Sequence, residues 1–326
     1  MIYIETGSTD VYYNFGLEYY FAAEKKLSDT VFLLWRTTPT LMVGKYQNTL
    51  EEIRQDYARE HGINVVRRMS GGGTIYTDMG GWQFTFIEQG NTDEIHFQEY
   101  TRPIVAALRA LGVPADFNGR NDLLIDGRKF SGNAQYKLAG STVHHGSLLF
   151  DTDIEQMVAS TTVADEKIIS KSIHSVRERV TNIAEHLPQP MDAEAFKRHL
   201  VSFIMGDSGD RYEPTAEDVA RIDRLAREKF AAWEWCYGNN PRFSITRAGR
   251  FAGGRIEFRL DVKKGLIAAA AVNGDFFAGE KADQLAASLI GCRYDRQAVR
   301  DRLAAEGFDG VIYGISIDDM AATIAD

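Results

Sequence analysis

The run Arg67-Arg68-Met69-Ser70-Gly71-Gly72-Gly73-Thr74-Ile75-Tyr76 gathers the residue types that bind anions. Three consecutive glycines open backbone dihedrals closed to other residues and let a ligand approach the main chain closely. Backbone N–H groups beside two guanidiniums offer donors to a phosphate or a carboxylate. The run follows Ile63, Val65 and Val66 and leads through Asp78 into Trp82-Gln83-Phe84-Thr85-Phe86-Ile87, which puts the glycines in a loop between two strands. No Gly-Lys-Ser/Thr follows, which excludes a P-loop, and no G-x-G-x-x-G opens a helix, which excludes the dinucleotide fingerprint. Two readings remain: an anion-binding loop, or a glycine-rich hairpin with solvated arginines.

A second stretch with chemical potential runs from Asn118 to Ala134. Asp126-Gly127 between two strand-like runs signals a tight hairpin. That hairpin carries Asn121 and Asp122 on one arm and Lys129 on the other. A further strand follows at His144-His145-Gly146-Ser147-Leu148-Leu149-Phe150.

The elements around these stretches follow from periodicity and capping. Asp10 or Asn14 caps a helix to about Leu27, with Phe15, Tyr19 and Ala22 on one face. Thr30–Trp35 reads as a buried strand, with Leu41–Tyr46 as its neighbour across a turn holding Pro39. Leu50–His61 reads as one amphipathic helix closed at Gly62, and His96–Leu111 as another closed at Gly112. Asp151 or Asp153 caps a short helix, Ile154–Ala159. Thr161–Arg179 turns polar, with Lys167, Lys171, Arg177 and Arg179, and reads as a surface loop with a solvated basic face rather than a phosphate clamp. Helices are expected at Met191–Met205 and Ala216–Ala232. Gly238-Asn239-Asn240-Pro241 is the candidate linker. Beyond it come a strand at Gly253–Val262, another near Ala269–Val272, and helices at Ala282–Leu289 and Arg296–Ala305. The expected domains are residues 1–240 and 241–326.

The chain has 326 residues, 44% hydrophobic and 25% charged, the composition of an ordinary globular protein. A net charge of −9 argues against a nucleic-acid partner. No apolar run approaches the ~20 residues that span a bilayer, and Met1-Ile2-Tyr3-Ile4-Glu5 lacks a signal sequence. Two cysteines, Cys236 and Cys292, are too few for a disulfide scaffold or a cysteine zinc site. A cytoplasmic protein is expected.

Arg67–Asp78 resembles the RR-x-SGGG-x-V-[YF]-x-D signature of the lipoate–protein ligase A family. Asn121-Asp122 followed by Gly127–Ala134 resembles the family's ND…G-[RK]-K-[IVF]-SG-[SN]-A segment, and His144–Leu149 its HHGTLL strand. Lys171-Ser172-Ile173 with Ser175–Asn182 resembles its K-S-I-x-S-V-R-x-R-V-x-N loop. Trp235, Tyr237-Gly238 and Pro241, and then Gly253–Glu257, also match, so the resemblance covers nearly the whole chain. It implies an α+β fold: a mixed β-sheet catalytic domain of the biotin/lipoate ligase type plus a small α/β C-terminal domain. The implied reaction has two steps. Lipoate and ATP·Mg²⁺ give lipoyl-AMP and pyrophosphate, and the lipoyl group then passes to one lysine of an apo lipoyl domain. Acceptors of that kind belong to 2-oxoacid dehydrogenase complexes and the glycine-cleavage H protein. No nucleic-acid or membrane partner is implied, and a monomer is favoured.

The resemblance assigns roles. Lys129 is the catalytic residue, its ammonium relieving the repulsion between the α-phosphate and the lipoyl carboxylate. Arg68 and Gly73, Thr74, Ile75 and Tyr76 match the positions that hold ATP and the adenylate, with Asn121 and Asp122 on the adenosine side or near Mg²⁺. Asp122 is the candidate metal ligand, or else a turn residue. Trp35 and Met42, with Arg68, Gly73 and Lys129, match the positions around lipoate, whose tail wants an apolar slot. His145 either lies near the tail or is a core histidine bonded to a backbone carbonyl. Thr77 stands where the family often has histidine.

An octanoyl- or lipoyl-transferase of the same superfamily, working through a thioester, needs a cysteine nucleophile in the catalytic half. Here Cys236 lies at the linker and Cys292 beyond it. A biotin ligase would carry a GRGRxGR-type loop in place of Arg67–Gly73. A non-catalytic adenylate-binding module would not need Lys129 and Arg68 intact.

Overall fold

Asp126 and Gly127 have φ of 50° and 77°, the two left-handed residues that a tight hairpin turn requires. They join β8 (Asp122–Ile125) to β9 (Arg128–Leu138) as the sequence predicts. The computed structural model describes all residues except 91–94, 119, 162–175, 207–208, 238–244, 264 and 326, and not the side chains of residues 50, 51 and 56. Most of the polar stretch with Lys167 and Lys171, and the Gly238–Pro241 linker, lie outside the described residues.

The chain divides into two compact units. One contains Met1–Val43, Thr49–Arg67 and Thr74–Cys236; the other contains Gly44–Asn48, Arg68–Gly73 and Tyr237–Asp326. Ten strands of the first unit precede β11 in sequence. They are β1 (Ile2–Ile4), β2 (Val31–Trp35), β3 (Thr40–Val43), β4 (Asn64–Arg67), β5 (Ile75–Thr77), β6 (Gly81–Gln89), β7 (Ala115–Phe117), β8, β9 and β10 (Ser141–Leu149). Among the described residues they form, with β11 (Asp210–Arg211), an eight-stranded mixed sheet ordered β11-β1-β2-β6-β10-β9-β8-β7 and a separate small sheet ordered β4-β3-β5.

The small sheet corrects one expectation. β3 does not neighbour β2, which lies between β1 and β6. The link between them is pinned elsewhere: Thr38 N–H donates to the Thr9 carbonyl, and the Asn14 amide to the Arg36 carbonyl. This turns the chain out of the large sheet, which two uniformly apolar strands could not reveal. The single helix expected at Leu50–His61 is also two, Thr49–Glu52 and Gln55–Glu60. Between them the Arg54 amide leaves the helical ladder and donates to the Ser160 carbonyl.

Alternation along the strands separates two faces. Phe32, Leu34, Trp82, Phe84, Phe86, Leu123, Ile125, Phe130 and Leu148 build the core beneath the helices Phe97–Ala110 and Ala193–Met205. On the other face runs the helix Val11–Tyr20, capped by Asp10, whose side chain accepts from the Tyr12 amide. The helix Ala216–Leu225 packs on it so closely that a Cβ on Gly16 would stand 2.9 Å from the Ile222 carbonyl oxygen. In the second unit β12 (Ile245–Phe251), β13 (Gly254–Lys263) and β14 (Leu266–Gly274) form an antiparallel meander. Ile256, Phe258 and Leu260 face Leu285, Val299, Leu303 and Met320 of its helices. β12 and the last helix, Ile317–Ala325, were not expected from sequence.

The helices Val11–Tyr20 and Ala216–Leu225 are joined by a buried carboxylate. Asp218 accepts from the Tyr20 and Tyr212 hydroxyls at 2.6 Å each, from Lys25 at 3.1 Å and from the Thr215 amide at 2.9 Å. Burial opposes its charge, but these donors outweigh it and hold the carboxyl well below the usual range. A depressed folded pKa stabilises the fold above the unfolded value of about 4 and loses that contribution as pH falls below it. Asp218→Asn is therefore expected to cost roughly 2 kcal/mol at pH 7. In urea titrations that gap narrows towards pH 3; a gap independent of pH would contradict this account.

Candidate active site

Side chains alternate along a strand, so the partners across a sheet fix which of them share a face. Thr85 pairs with Leu33 on one side and His145 on the other, and His145 pairs with Ala134. Trp35 pairs with Gln83, which pairs with Ser147. Trp35, Thr85, His145, Ser147 and Ala134 thus lie on the face opposite the main core. On β9 the same parity would include Gly132 and exclude Lys129. It does not, because β9 holds one extra residue. Asp122 pairs with Gly132 and Leu124 with Lys129, while Leu123 pairs with Ser131, which leaves Phe130 as a bulge. Phe130 and Ser131 both turn to the core side, and Lys129 returns to the face of Gly132, Asp122 and His145.

Lys129 is also held from outside the sheet. Its N–H donates to the Arg179 carbonyl at 2.8 Å, and its carbonyl accepts from the Thr181 N–H at 3.0 Å. Its ammonium lies 2.7 Å from Asp122 Oδ1. A cavity of about 540 Å³ opens here, lined by Asn118, Asp122, Leu124, Lys129, Val176 and Arg179. Asn121 serves the backbone: its amide donates to the Asn133 carbonyl while the Asn133 amide donates to the Asn121 carbonyl, each at 3.0 Å. The Asn133 side chain crosses Gly146, where a Cβ would stand 2.4 Å from its Oδ1 and 2.4 Å from the Phe84 ring. This close approach explains the glycine after the two histidines.

Trp35 and Met42 are both 2% exposed, but on different sheets rather than on one strand pair. Met42 pairs with Ile75 and Val66 in the small sheet, which brings it beside the end of the signature run. The Trp35 indole donates to Thr85 Oγ1 at 3.2 Å, and Thr85 donates to Glu18 at 2.8 Å. Glu18 is fully buried. It also accepts from Tyr136 at 2.9 Å and lies 3.2 Å from His145 Nδ1. His145 thus faces a carboxylate. Burial would raise the Glu18 carboxyl, but the His145 charge and the bonds from His145, Thr85 and Tyr136 prevail and lower it. Burial, aided by Glu18, pushes the Tyr136 phenol well up. His144 points into the core, where burial holds its imidazole neutral.

The glycine loop belongs to the second unit and is closed on itself. Arg68, 5% exposed, donates to Ser70 Oγ and to the carbonyls of Gly71 and Gly73 at 2.8 and 2.7 Å. The Gly72 N–H donates to the Phe276 carbonyl at 3.1 Å, and a Cβ on Gly71 would stand 1.9 Å from that oxygen. Gly73 is exposed, Thr74 and Ile75 are half-buried, and Tyr76 is buried with its hydroxyl on Gln156. Arg67 corrects the expectation of two guanidiniums at one anion. It binds the carbonyls of Trp235 and Cys236 and the Thr49 hydroxyl, and its own carbonyl accepts from the Trp235 indole. Thr77 accepts from the Gln83 amide at 2.8 Å.

Residues 10–204 match the family described as lipoyl protein ligase A/B catalytic domain, and residues 240–324 the bacterial lipoate protein ligase C-terminus. The chain is 38% identical to lipoate-protein ligase LplJ of Bacillus subtilis, over 98% of each chain. The chain belongs to the lipoate–protein ligase family. It is also 38% identical to lipoate–protein ligase 1 of Staphylococcus aureus, over 91% of each. Its fold is that of P. falciparum LipL1, solved in complex with lipoate, with a TM-score of 0.76, 20% identity and coverage of 93% and 94%. A lipoate-protein ligase A bound with ATP has a TM-score of 0.59 at 21% identity, covering 73% of this chain and 97% of the other.

Sequence reasoning missed two features of this lipoate–protein ligase. Glu18 was readable, as a charge three residues from Phe15 on the helix's apolar stripe. The strand-like contact of Arg179–Thr181 with Lys129 had no local signal. Cys236, expected at the linker, is the last residue of the first unit. It is buried, its thiol faces the Phe230 carbonyl, and burial raises its pKa, all unsuited to a nucleophile. For the polar network, Glu18→Gln is expected to destabilise the protein by about 3 kcal/mol, since it removes a buried charge to which Thr85 and Tyr136 donate and against which His145 is placed. Thr85→Val, which removes one of the donors to Glu18 and the acceptor of the Trp35 indole but leaves the His145 and Tyr136 contacts in place, should cost less, about 2 kcal/mol. Equal costs in chemical denaturation would refute the pairing.

Proposed function

We propose that the protein activates free lipoate with ATP·Mg²⁺ and transfers the lipoyl group to a lysine of an apo lipoyl domain. The observation that carries this reading is the placement of Lys129 on the face of the sheet that also holds Trp35 and His145, at the mouth of a cavity. In the first step a carboxylate oxygen of lipoate attacks the α-phosphorus of ATP and the bond to pyrophosphate breaks. Two anions meet, and the Lys129 ammonium lies between them, moving from Asp122 to the phosphoryl oxygens. In the second step the acceptor amine attacks the acyl carbon, loses its proton, and AMP leaves with the bonding electrons. The same ammonium then stabilises the oxyanion.

Trp35, Met42 and His145 line the lipoyl tail in this reading, and Gly73, Thr74, Ile75 and Tyr76 hold the adenylate, with Asn121 shaping the strand beneath. Arg68 acts by giving the loop its form, which fits its bonds to loop carbonyls. Among the described residues no three metal-binding side chains converge. Asp122 alone suits a Mg²⁺ that arrives on ATP, because that ion keeps phosphate and water ligands and needs few carboxylates. The acceptors we assign are the lipoyl domains of 2-oxoacid dehydrogenase complexes and the glycine-cleavage H protein. A Thermoplasma acidophilum ligase of this fold was solved as part of a lipoylation system with its E2 lipoyl domain. No helix among the described residues is long and apolar enough to cross a membrane. Two free, buried thiols support a reducing compartment, the cytoplasm.

Lipoate-dependent exchange of labelled pyrophosphate into ATP tests the first step, and intact mass of an apo lipoyl domain tests the second. Lys129→Ala is expected to slow both by on the order of 100-fold. Cys236→Ala is expected to label the domain at the wild-type rate. Exchange that survives Lys129→Ala would remove the lysine from the chemistry. Labelling without exchange, abolished by Cys236→Ala, would replace the ligase with a thioester transferase.

A further inference from the structure

Gly132 is a glycine that its backbone does not require. It lies in β9 opposite Asp122, and its φ is not in the left-handed region. Gly127 supplies a turn and Gly146 makes room for Asn133 and Phe84, so both have structural reasons to lack a side chain. At Gly132 a Cβ would first meet the far end of one flexible side chain: Lys129 Nζ at 3.1 Å and Cε at 3.2 Å. The next atom, Ser147 Oγ, is at 3.9 Å. The Gly132 N–H donates to that Ser147 hydroxyl at 3.3 Å, which ties the strand to β10 beside the lysine.

We propose that Gly132 is a positioning residue for the reaction. Its bare Cα is the seat over which the terminal methylene and ammonium of Lys129 pass, so that the charge is delivered beside Asp122 at one place on the face. A lysine has four rotatable side-chain bonds and a compact charge that any anion attracts. The backbone bonds to Arg179 and Thr181 fix its root, and the seat fixes its tip. An alanine there forces the tip to give way by a few tenths of an ångström or to leave for another rotamer, while the surrounding backbone stays in place. Reactions of this kind are sensitive to such shifts, because a misplacement of about 1 Å can cost 100-fold. The catalytic consequence rests on the role given to Lys129 above; the seat itself does not.

Gly132→Ala tests both. The melting temperature should fall by no more than about 3 °C, and lipoate-dependent pyrophosphate exchange should slow by on the order of 10–100-fold. In a Lys129→Ala background the same substitution should leave the residual rate unchanged, since the group it displaces is gone. Competitive acetylation of the ligand-free protein, read by mass spectrometry on the Lys129 peptide, should be faster in Gly132→Ala, because the amine has lost its partner. An equal fractional loss of rate in both backgrounds would mean that Gly132 serves the fold, and the proposal falls. Unchanged acetylation would also overturn it. If Lys129→Ala proves fully active while Gly132→Ala still exposes the amine, the seat stands and the assigned chemistry of the lysine is what fails.

Discussion

A β-strand can offer a given face only every second residue, and this constraint governs the whole candidate site. β9 must place hydrophobic groups in the main core and an ammonium on the opposite face within one short segment. With strict alternation, Phe130 in the core would already put Lys129 opposite, but Gly132 would then fall on the core side with Phe130. The bulge resolves this by sending Phe130 and Ser131 to the core together. Lys129 and Gly132, three residues apart, then share one face. Every later feature depends on that register: the ion pair with Asp122, the path over Gly132, and the alignment with the row that contains His145. The turn at Asp126-Gly127 anchors the register at one end, and the two bonds from Arg179 and Thr181 anchor it from outside.

The second demand on that face is to keep a charge away from water. Glu18 is buried without solvent contact, and an isolated carboxylate there would protonate. It remains charged because His145, Tyr136 and Thr85 all direct hydrogen-bond donors at it. Such a set is costly to disturb and stiff for the same reason. Through Thr85 the network reaches the Trp35 indole, so this buried ring is oriented by a bond and not only by packing.

Features with a local cause were readable from sequence. The Asp-Gly turn, the Asp10 cap, the glycine-closed helices and the strand with paired histidines each follow from a few adjacent residues. The resemblance to the ligase family supplied the candidate site residues, which periodicity could not. What remained hidden depends on partners distant in sequence. The apolar runs of β2 and β3 carry no label for their neighbours, and the link through Arg36 and Thr38 sends them to different sheets. Arg67 and Arg68 are adjacent and alike on paper, yet one binds the carbonyls that end the first unit and the other the carbonyls of its own loop. The bulge at Phe130 is visible only once the pairing with Leu123 and Leu124 is known. Glu18 was the exception: a charge on an apolar stripe is a local signal, and its burial announces a partner.

The glycine loop is held in shape by bonds made within the second unit. Its Gly72 amide already has an acceptor in the Phe276 carbonyl, so the structure carries no open row of donors at that point. In the proposed reaction an anion would have to displace that carbonyl. The exchange gives up one neutral hydrogen bond, worth about 1 kcal/mol net, for a charge-assisted one roughly twice as strong. It is favourable only if the loop keeps its shape meanwhile. Arg68 supplies that condition, because its bonds to Ser70, Gly71 and Gly73 all lie within the loop and need not break when Phe276 is released. In the proposed reaction Arg68 would thus act on anion binding through the shape of the loop.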